Sequence, residues 1–225
     1  MERVEIKKGR IHMSNRKNGM KITTLEVAGI SPAIKGMRLP MMSRAKSDTY
    51  ESIASQPKIG EADMGLCKRL IKGGSEHAKY LRMIQVWADV DMPRYFWSEA
   101  DTYKFGTKNS ESTMHRLLNN QNPITLDLFV YSEEDTDIME QIVNRLEELR
   151  IEYLKTKDFS LVVRAKRILP EGFLQLRTWN TNYAELRNIY HQRKHHRLKE
   201  EWQEVFVGWI KTLPYAKELI IGEDN

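Results

Sequence analysis

Apolar and polar residues alternate along KITTLEVAG (21–29), the two-residue period of a half-buried strand, and Gly29 and Pro32 end it. The period changes at Asp63, where MGLCKRLIK carries helical spacing up to Gly73-Gly74. EHAKYLRMIQVWADVDMPRYFW (76–97) reads as a short helix or strand followed by an extended piece before Pro93. NSESTMHRLL (109–118) predicts a helix opened by Asn109 or Ser110, and NNQNP (119–123) a turn. ITLDLFVYS (124–132) has the β-branched and aromatic content of a strand. Ile138, Ile142, Val143, Leu146, Leu149 and Leu154 trace a long amphipathic helix with acids at its start, where the helix dipole favours them. A further helix is expected over 159–170, ended by Pro170, then a strand over 172–181 and a last long helix from Asn182 to Thr212. Helices dominate and strands recur, which points to an α+β class.

The first 20 residues carry six Lys and Arg against two Glu and read as a polar arm or an edge strand, with one domain expected over 21–225. IKGMRLPMMSRAKSD (34–48) reads as an irregular connection. The chain has 225 residues, 30% of them charged, with a net charge of +5, so anionic partners are favoured: nucleotides, nucleic acids or acidic proteins. No stretch has the length of apolar residues that a membrane span needs, and the N-terminus lacks the apolar core of a secretory signal, so a cytoplasmic protein is expected. A single cysteine, Cys67, excludes an internal disulfide and a multi-cysteine metal site; within its helical pattern it reads as a buried structural thiol.

LRNIYHQRKHHRLKEEW (186–202) holds most of the candidate chemistry. On a continuous helix Leu186, Ile189 and Tyr190 form an inner stripe, and Leu198, Trp202 and Val205 resume it, with Arg193 and Arg197 between them. A guanidinium in a buried stripe needs an anion or an acceptor, which is either a ligand phosphate or imide edge, or an internal Asp or Glu. His191 and His195 share the opposite face with Asn188. Their spacing could hold zinc, but Gln192 stands where the metalloprotease pattern needs Glu, and a solvated face is the better reading; no metal is expected. The basic run 193–199 could also meet nucleic-acid phosphates or a protein, although no recognised frame accompanies it. In YFWSEADTY (95–103) an aromatic could stack on a flavin or base while Arg94 holds a phosphate and Glu99 accepts ring hydrogens. The alternative is that these aromatics fill the core.

RILP (167–170), then Trp179, Asn182 and LRNIYHQR (186–193), resembles the C-terminal half of the flavin-dependent thymidylate synthases, the ThyX family. Glu76-His77 resembles that family's Glu-His ahead of its central strand. The resemblance implies a central, mostly antiparallel sheet flanked by long helices. It also implies a homotetramer with shared sites, FAD as cofactor, and a pyrimidine nucleotide such as dUMP as partner. It puts Arg193 on the arginine that binds the pyrimidine of dUMP and Asn188 on a polar residue near flavin and substrate; with Arg197 from the wheel and Arg94 they are the candidate nucleotide contacts, and Trp97, Ser98, Glu99 and His77 are the candidate flavin contacts. The family's Arg-His-Arg-x-x-Ser-x-Asn-Glu signature is replaced: Ser98, Glu99 and Ala100 stand for its basic triplet, and Tyr103, Phe105 and Gly106 for Ser, Asn and Glu. Ala184 stands for a further arginine. The implied protein is therefore a diverged ThyX-like nucleotide binder. Three readings stay open: a surviving flavin-dependent pyrimidine methyltransferase, a non-catalytic protein that sequesters or senses a nucleotide, and a nucleic-acid or protein-binding module. A protein of this kind would suit a phage or prophage.

Overall fold

The computed structural model describes residues 14–17, 19–51 and 56–222, so residues 1–13 and 18 of the expected arm lie outside the described residues. In chain order the elements are β1 (Ser14–Lys17), β2 (Met20–Ala28), α1 (Ile30–Gly36), α2 (Glu61–Lys72), β3 (Gln85–Pro93) and α3 (Arg94–Ala100). There follow β4 (Thr107–Ser110), α4 (Thr113–Arg116), α5 (Thr136–Thr156), α6 (Phe159–Ile168), β5 (Leu174–Asn182) and α7 (Tyr183–Arg193). A π-helical segment, Lys199–Phe206, runs into α8 (Val207–Ile210), and a second one spans Lys217–Ile221.

The strands form one sheet in the order β1-β2-β3-β5-β4, with every pairing antiparallel. Alternation in β3 decides which face is covered: Val86, Ala88, Val90 and Met92 are buried. Cross-strand register sets Ile22 of β2 opposite Val90, and Trp179 of β5 opposite Ala88. This face packs with Phe96 and Trp97 of α3, Leu186 and Ile189 of α7, and Trp202 and Phe206 of the π-helical segment. A second apolar cluster joins α4, α5 and α6 through Leu117, Leu146, Leu161 and Val162. At the end of β2 the turn into α1 needs glycine: Gly29 has φ 88°, and a Cβ there would sit 2.4 Å from the Met83 carbonyl oxygen.

The connection after α1 is irregular, as its sequence implies, yet it is pinned. Asp63 of α2 is fully buried and accepts from Ser47 Oγ at 2.7 Å, Thr49 Oγ1 at 2.6 Å, the Asp48 and Thr49 amides, and Arg38 Nε. Burial alone would raise this carboxyl, but bonds from Thr49, Ser47 and Arg38 outweigh it and hold it down at about 2. Asp48 caps the start of α2 by accepting from the Ala62 and Asp63 amides. Cys67 is buried with its thiol pushed up to about 11 by burial, an inert core sulfur as expected.

Three sequence expectations need correction. The strand expected over 124–132 is a short 3₁₀ turn, Leu126–Leu128, with a single bridge from Phe129 to Phe173. Its β-branched and aromatic residues suit a strand, but Ile124 and Phe129 are buried in the helical cluster, and the Ile124 amide donates to Glu147 of α5. The helix expected over 109–118 is shorter, because Asn109 and Ser110 pair with β5 and the cap is Ser112, which accepts from the His115 amide. The helix expected from Asn182 to Thr212 breaks after Arg193, and the cause of that break lies in the site.

Candidate functional site

Arg193 ends α7, and its side chain is 16% exposed. Its Nη1 donates to Glu99 Oε2 at 2.8 Å, and its Nε to the Tyr103 hydroxyl at 2.8 Å. The guanidinium lies 4.5 Å from the Trp202 ring centroid and 5.5 Å from that of Tyr103. Trp202 Nε1 donates to the same Glu99 oxygen at 2.8 Å, and His196 Nε2 stands 3.4 Å from it. Tyr103 donates onward to Gln192 Oε1 at 2.9 Å, and Gln192 Nε2 donates to Asn188 Oδ1 at 2.9 Å. One chain of polar contacts thus runs from Asn188 through Gln192, Tyr103 and Arg193 to Glu99, Trp202 and His196.

This convergence explains the broken helix. On a continuous α-helix, residues 193 and 202 would project about 180° apart, so the expectation that Trp202 resumes the stripe of Arg193 does not hold, and both could not reach one carboxylate. The chain turns at 194–198 instead, where Lys194 N donates to the Tyr190 carbonyl and His196 N to that of Arg193. It then resumes as a π-helical segment, a form that recurs at functional sites. Gln203 Nε2 holds the turn from the far side by donating to the His196 carbonyl. α3 supplies the other wall: Tyr95 and Glu99, one turn apart on α3, meet the consecutive residues Glu201 and Trp202, Tyr95 donating to Glu201. Burial, and then the bond to Glu201, push the Tyr95 hydroxyl well above the usual phenol range; burial raises Tyr103 against the lowering by Arg193.

The structure brings together three of the expected residues, Arg193, Glu99 and, through Gln192 and Tyr103, Asn188. The others are placed elsewhere. Arg197 lies in the turn after the break and is exposed, so it does not interrupt a buried stripe. Arg94 opens α3 but faces away, pairing with Glu171 at 3.1 Å. Trp97 is a core residue: its Nε1 donates to the Gln175 carbonyl, the Arg177 guanidinium lies 4.3 Å from its ring centroid, and Phe96 and Trp179 pack beside it. No ring face is left for an isoalloxazine. Ser98 is exposed and bonds back to the Arg94 carbonyl, the usual use of a helical serine. His77 is exposed in the turn ahead of β3, while the other three flavin candidates lie on the helix after it, and no hydrogen bond or ion pair joins it to the cluster. These four residues therefore do not fit a flavin as one site within the chain. Among the described residues no group of three or more His, Cys, Asp or Glu could hold a metal ion.

Asn182 has a local task. It is the N-cap of α7, its Oδ1 accepting from the Glu185 amide at 3.0 Å, and Glu185, buried and raised by burial, takes a bond from the Phe105 amide. Tyr103, Gln192, His196 and Trp202 belong to the cluster but carried no separate signal. Tyr103 stands at a replaced signature position, and Trp202 read as part of an apolar stripe. Beside them, the loop between α3 and β4 is tied down by Lys108, which stands 3.6 Å from Asp101 and 4.5 Å from the Trp179 ring centroid, and by Arg177, bonded to Asp101 at 3.1 Å.

No protein-family model and no curated protein matches the sequence. Solved structures do. The flavin-dependent thymidylate synthase ThyX of Helicobacter pylori, in a crystal structure complexed with FAD and dUMP, superposes with a TM-score of 0.68 at 17% identity, covering 88% of this chain and 97% of that one. The fold is that of the flavin-dependent thymidylate synthases. A second Helicobacter pylori ThyX structure, also with FAD and dUMP, gives 0.66 at 18% identity, covering 89% and 97%. The UMP/dUMP methylase PolB of Streptomyces cacaoi, bound with 5-Br dUMP, gives 0.59 at 16% identity, covering 90% and 94%. The ThyX-like α+β architecture expected from 167–193 is thus observed, with an antiparallel sheet and helices over one of its faces. No helix among the described residues is long and apolar enough to cross a membrane.

Proposed function

We propose that this chain is a diverged ThyX-fold protein that binds a pyrimidine nucleotide of the dUMP type at the Arg193 end of α7. One observation carries the reading. Arg193 is half-buried, fixed through Nε and Nη1 and stacked on an indole, while its Nη2 makes no hydrogen bond to any described residue. An oriented guanidinium with a donor unspent is an anion and carbonyl receptor, since its planar fork matches phosphate and imide edges. Asn188 and Gln192 extend the polar surface along α7. The ThyX and PolB structures, which hold dUMP and 5-Br dUMP, support a nucleotide on this fold.

Binding without flavin chemistry is the reading favoured over methyl transfer. The positions of the family's basic signature serve packing and pairing: Ala100 is buried, Ser98 bonds its own helix, and Glu99 is paired with Arg193. A fold does not carry its chemistry when those positions are spent. The reading includes a homotetramer, which light scattering at micromolar concentration will report as four copies of the chain.

Isothermal titration of the purified protein with dUMP, beside an absorption spectrum of the same sample, tests the reading. Micromolar dUMP binding that falls at least tenfold in Arg193→Ala, with no flavin absorbance, is expected. Bound flavin with dUMP turnover would restore the methyltransferase reading. Loss of affinity for nucleic acid alone, with a reduced salt slope, would replace both by a nucleic-acid module.

A further inference from the structure

The loop 39–46 is tied at both ends to one carboxylate. Arg38 before it and Ser47, Asp48 and Thr49 after it all donate to Asp63. Ser43 closes the loop across its middle, its amide and its hydroxyl both donating to the Arg38 carbonyl. Yet nothing held in this way is core: the two 3₁₀ turns of the loop, Leu39–Met41 and Arg44–Lys46, contain no buried residue. Leu39, Met41 and Met42 are 57%, 82% and 94% exposed, and Arg44 and Lys46 stand exposed beside them. Met42 has φ 48°, a left-handed conformation uncommon for any residue but glycine, and it carries the most exposed side chain of the three. The Asp63 network therefore fixes an apolar tip in water with a basic rim, and such a patch marks an interaction surface.

A second stretch has the same exposure and the opposite charge. Around the start of α5, Tyr131 and Ile138 are 38% and 59% exposed, and Glu133, Glu134, Asp135, Asp137 and Glu140 are exposed with them. Neither these acids nor Arg44 and Lys46 form an ion pair with a described residue. The two stretches flank different apolar clusters, Met37 packing on the first and Met139 lying in the second, and no hydrogen bond or ion pair joins them within the chain. We propose that Leu39, Met41 and Met42 dock on the 131–140 stretch of a second copy of this chain, with Arg44 and Lys46 facing its acids. Every copy carries both stretches, so about a two-fold axis the contact is made twice, tip to acidic face and acidic face to tip. The apolar side chains form the centre of the contact, and the opposite charges at its rim select the partner face and fix its register. This goes beyond the nucleotide reading and names one contact for the tetramer that the reading includes.

Light scattering and sedimentation velocity on the full chain, over a micromolar concentration series, decide the matter. Arg44→Glu with Lys46→Glu, and separately Glu133→Lys with Glu134→Lys, are each expected to weaken self-association about tenfold and leave a smaller assembly than wild type at equal concentration. All four changes together exchange the two signs and are expected to restore association to within about threefold of wild type. Met41→Ser with Met42→Ser is expected to weaken it about tenfold at low and high salt alike, while wild type itself weakens as salt rises. Unchanged association in both charge reversals, or a four-residue exchange no better than either, overturns the inference and leaves the nucleotide reading standing. A wild-type chain that stays monomeric overturns it together with the tetramer of that reading. Cosedimentation with vesicles of anionic phospholipid that is lost in Met41→Ser with Met42→Ser, beside self-association left intact by the same variant, also overturns it and gives the tip to a membrane surface.

Discussion

Replacing Asp63 by Asn removes one charge from the most heavily bonded buried acid among the described residues. Its two carboxylate oxygens accept from Ser47, Thr49 and Arg38 side chains and from two backbone amides, and every one of these is a donor. An asparagine amide must turn its NH₂ towards one group of those donors, and Arg38, itself buried, loses its counter-charge. The carboxyl lies at about 2 in the fold against an ordinary value of 3.8. That displacement is worth about 2.5 kcal/mol at neutral pH. The amide mismatch adds to it, so a loss of about 3–4 kcal/mol is expected, within the range for breaking a buried pair. For a chain of this size that lowers Tm by about 6–15 °C. The folded value lies below the unfolded one, so the contribution is complete well above pH 3.8 and fades as pH falls towards 2; about half remains at pH 3. Thermal unfolding of both proteins, followed by near-UV circular dichroism at pH 7, 5 and 3, reads all of this. A Tm difference below 2 °C at pH 7, or one as large at pH 3 as at pH 7, would refute the account.

Gly106→Ala places a Cβ 2.6 Å from the Asn180 carbonyl oxygen and 2.7 Å from Trp179 Nε1. A loss of about 1–3 kcal/mol in urea unfolding is expected from this overpacking, and an unchanged midpoint would count against the close approach. Tyr103→Phe removes the hydroxyl that accepts from Arg193 Nε and donates to Gln192, at about 1 kcal/mol of stability. Loosening the guanidinium is expected to weaken dUMP binding about threefold to tenfold, and an affinity equal to wild type would show that Tyr103 does not orient Arg193.

The sheet was legible wherever burial follows a simple period. β2, α2, α5 and α6 fall close to their expected spans because one side of each meets the core and the other meets water, and β5 does so on its residue types, its burial alternating only at its Trp179 end. Legibility failed where a residue's partner is distant in sequence. Ile124 and Phe129 have strand-like side chains but fill a helical cluster, and nothing local distinguishes those fates. The break after Arg193 left only a phase shift in the sequence, since nine residues at about 100° each set Trp202 half a turn from Arg193; what brings residues 193, 196 and 202 to one side is Glu99, about 100 residues upstream. Arg193 stood out on the wheel because an arginine in an apolar stripe needs an acceptor. The wheel could not say whether that acceptor is internal or a ligand.

The geometry gives that question a definite form. Arg193 already has a carboxylate, whose side chain is 33% exposed, and its third nitrogen, Nη2, has no partner among the described residues. A side chain that was solely a structural tie would gain from closing over both partners, as Arg38 and Asp63 do, where exposure is 7% and 0%. The two pairs therefore mark two uses of the same chemistry in one chain. Asp63 with Arg38 fixes a loop and is expected to register in stability, with Tm as its readout. Glu99 with Arg193 is partly exposed, at 33% and 16%, and is expected to register in affinity. If Glu99→Gln lowered Tm as far as Asp63→Asn while dUMP binding stayed unchanged, the distinction would fail and the Arg193 cluster would be architecture alone.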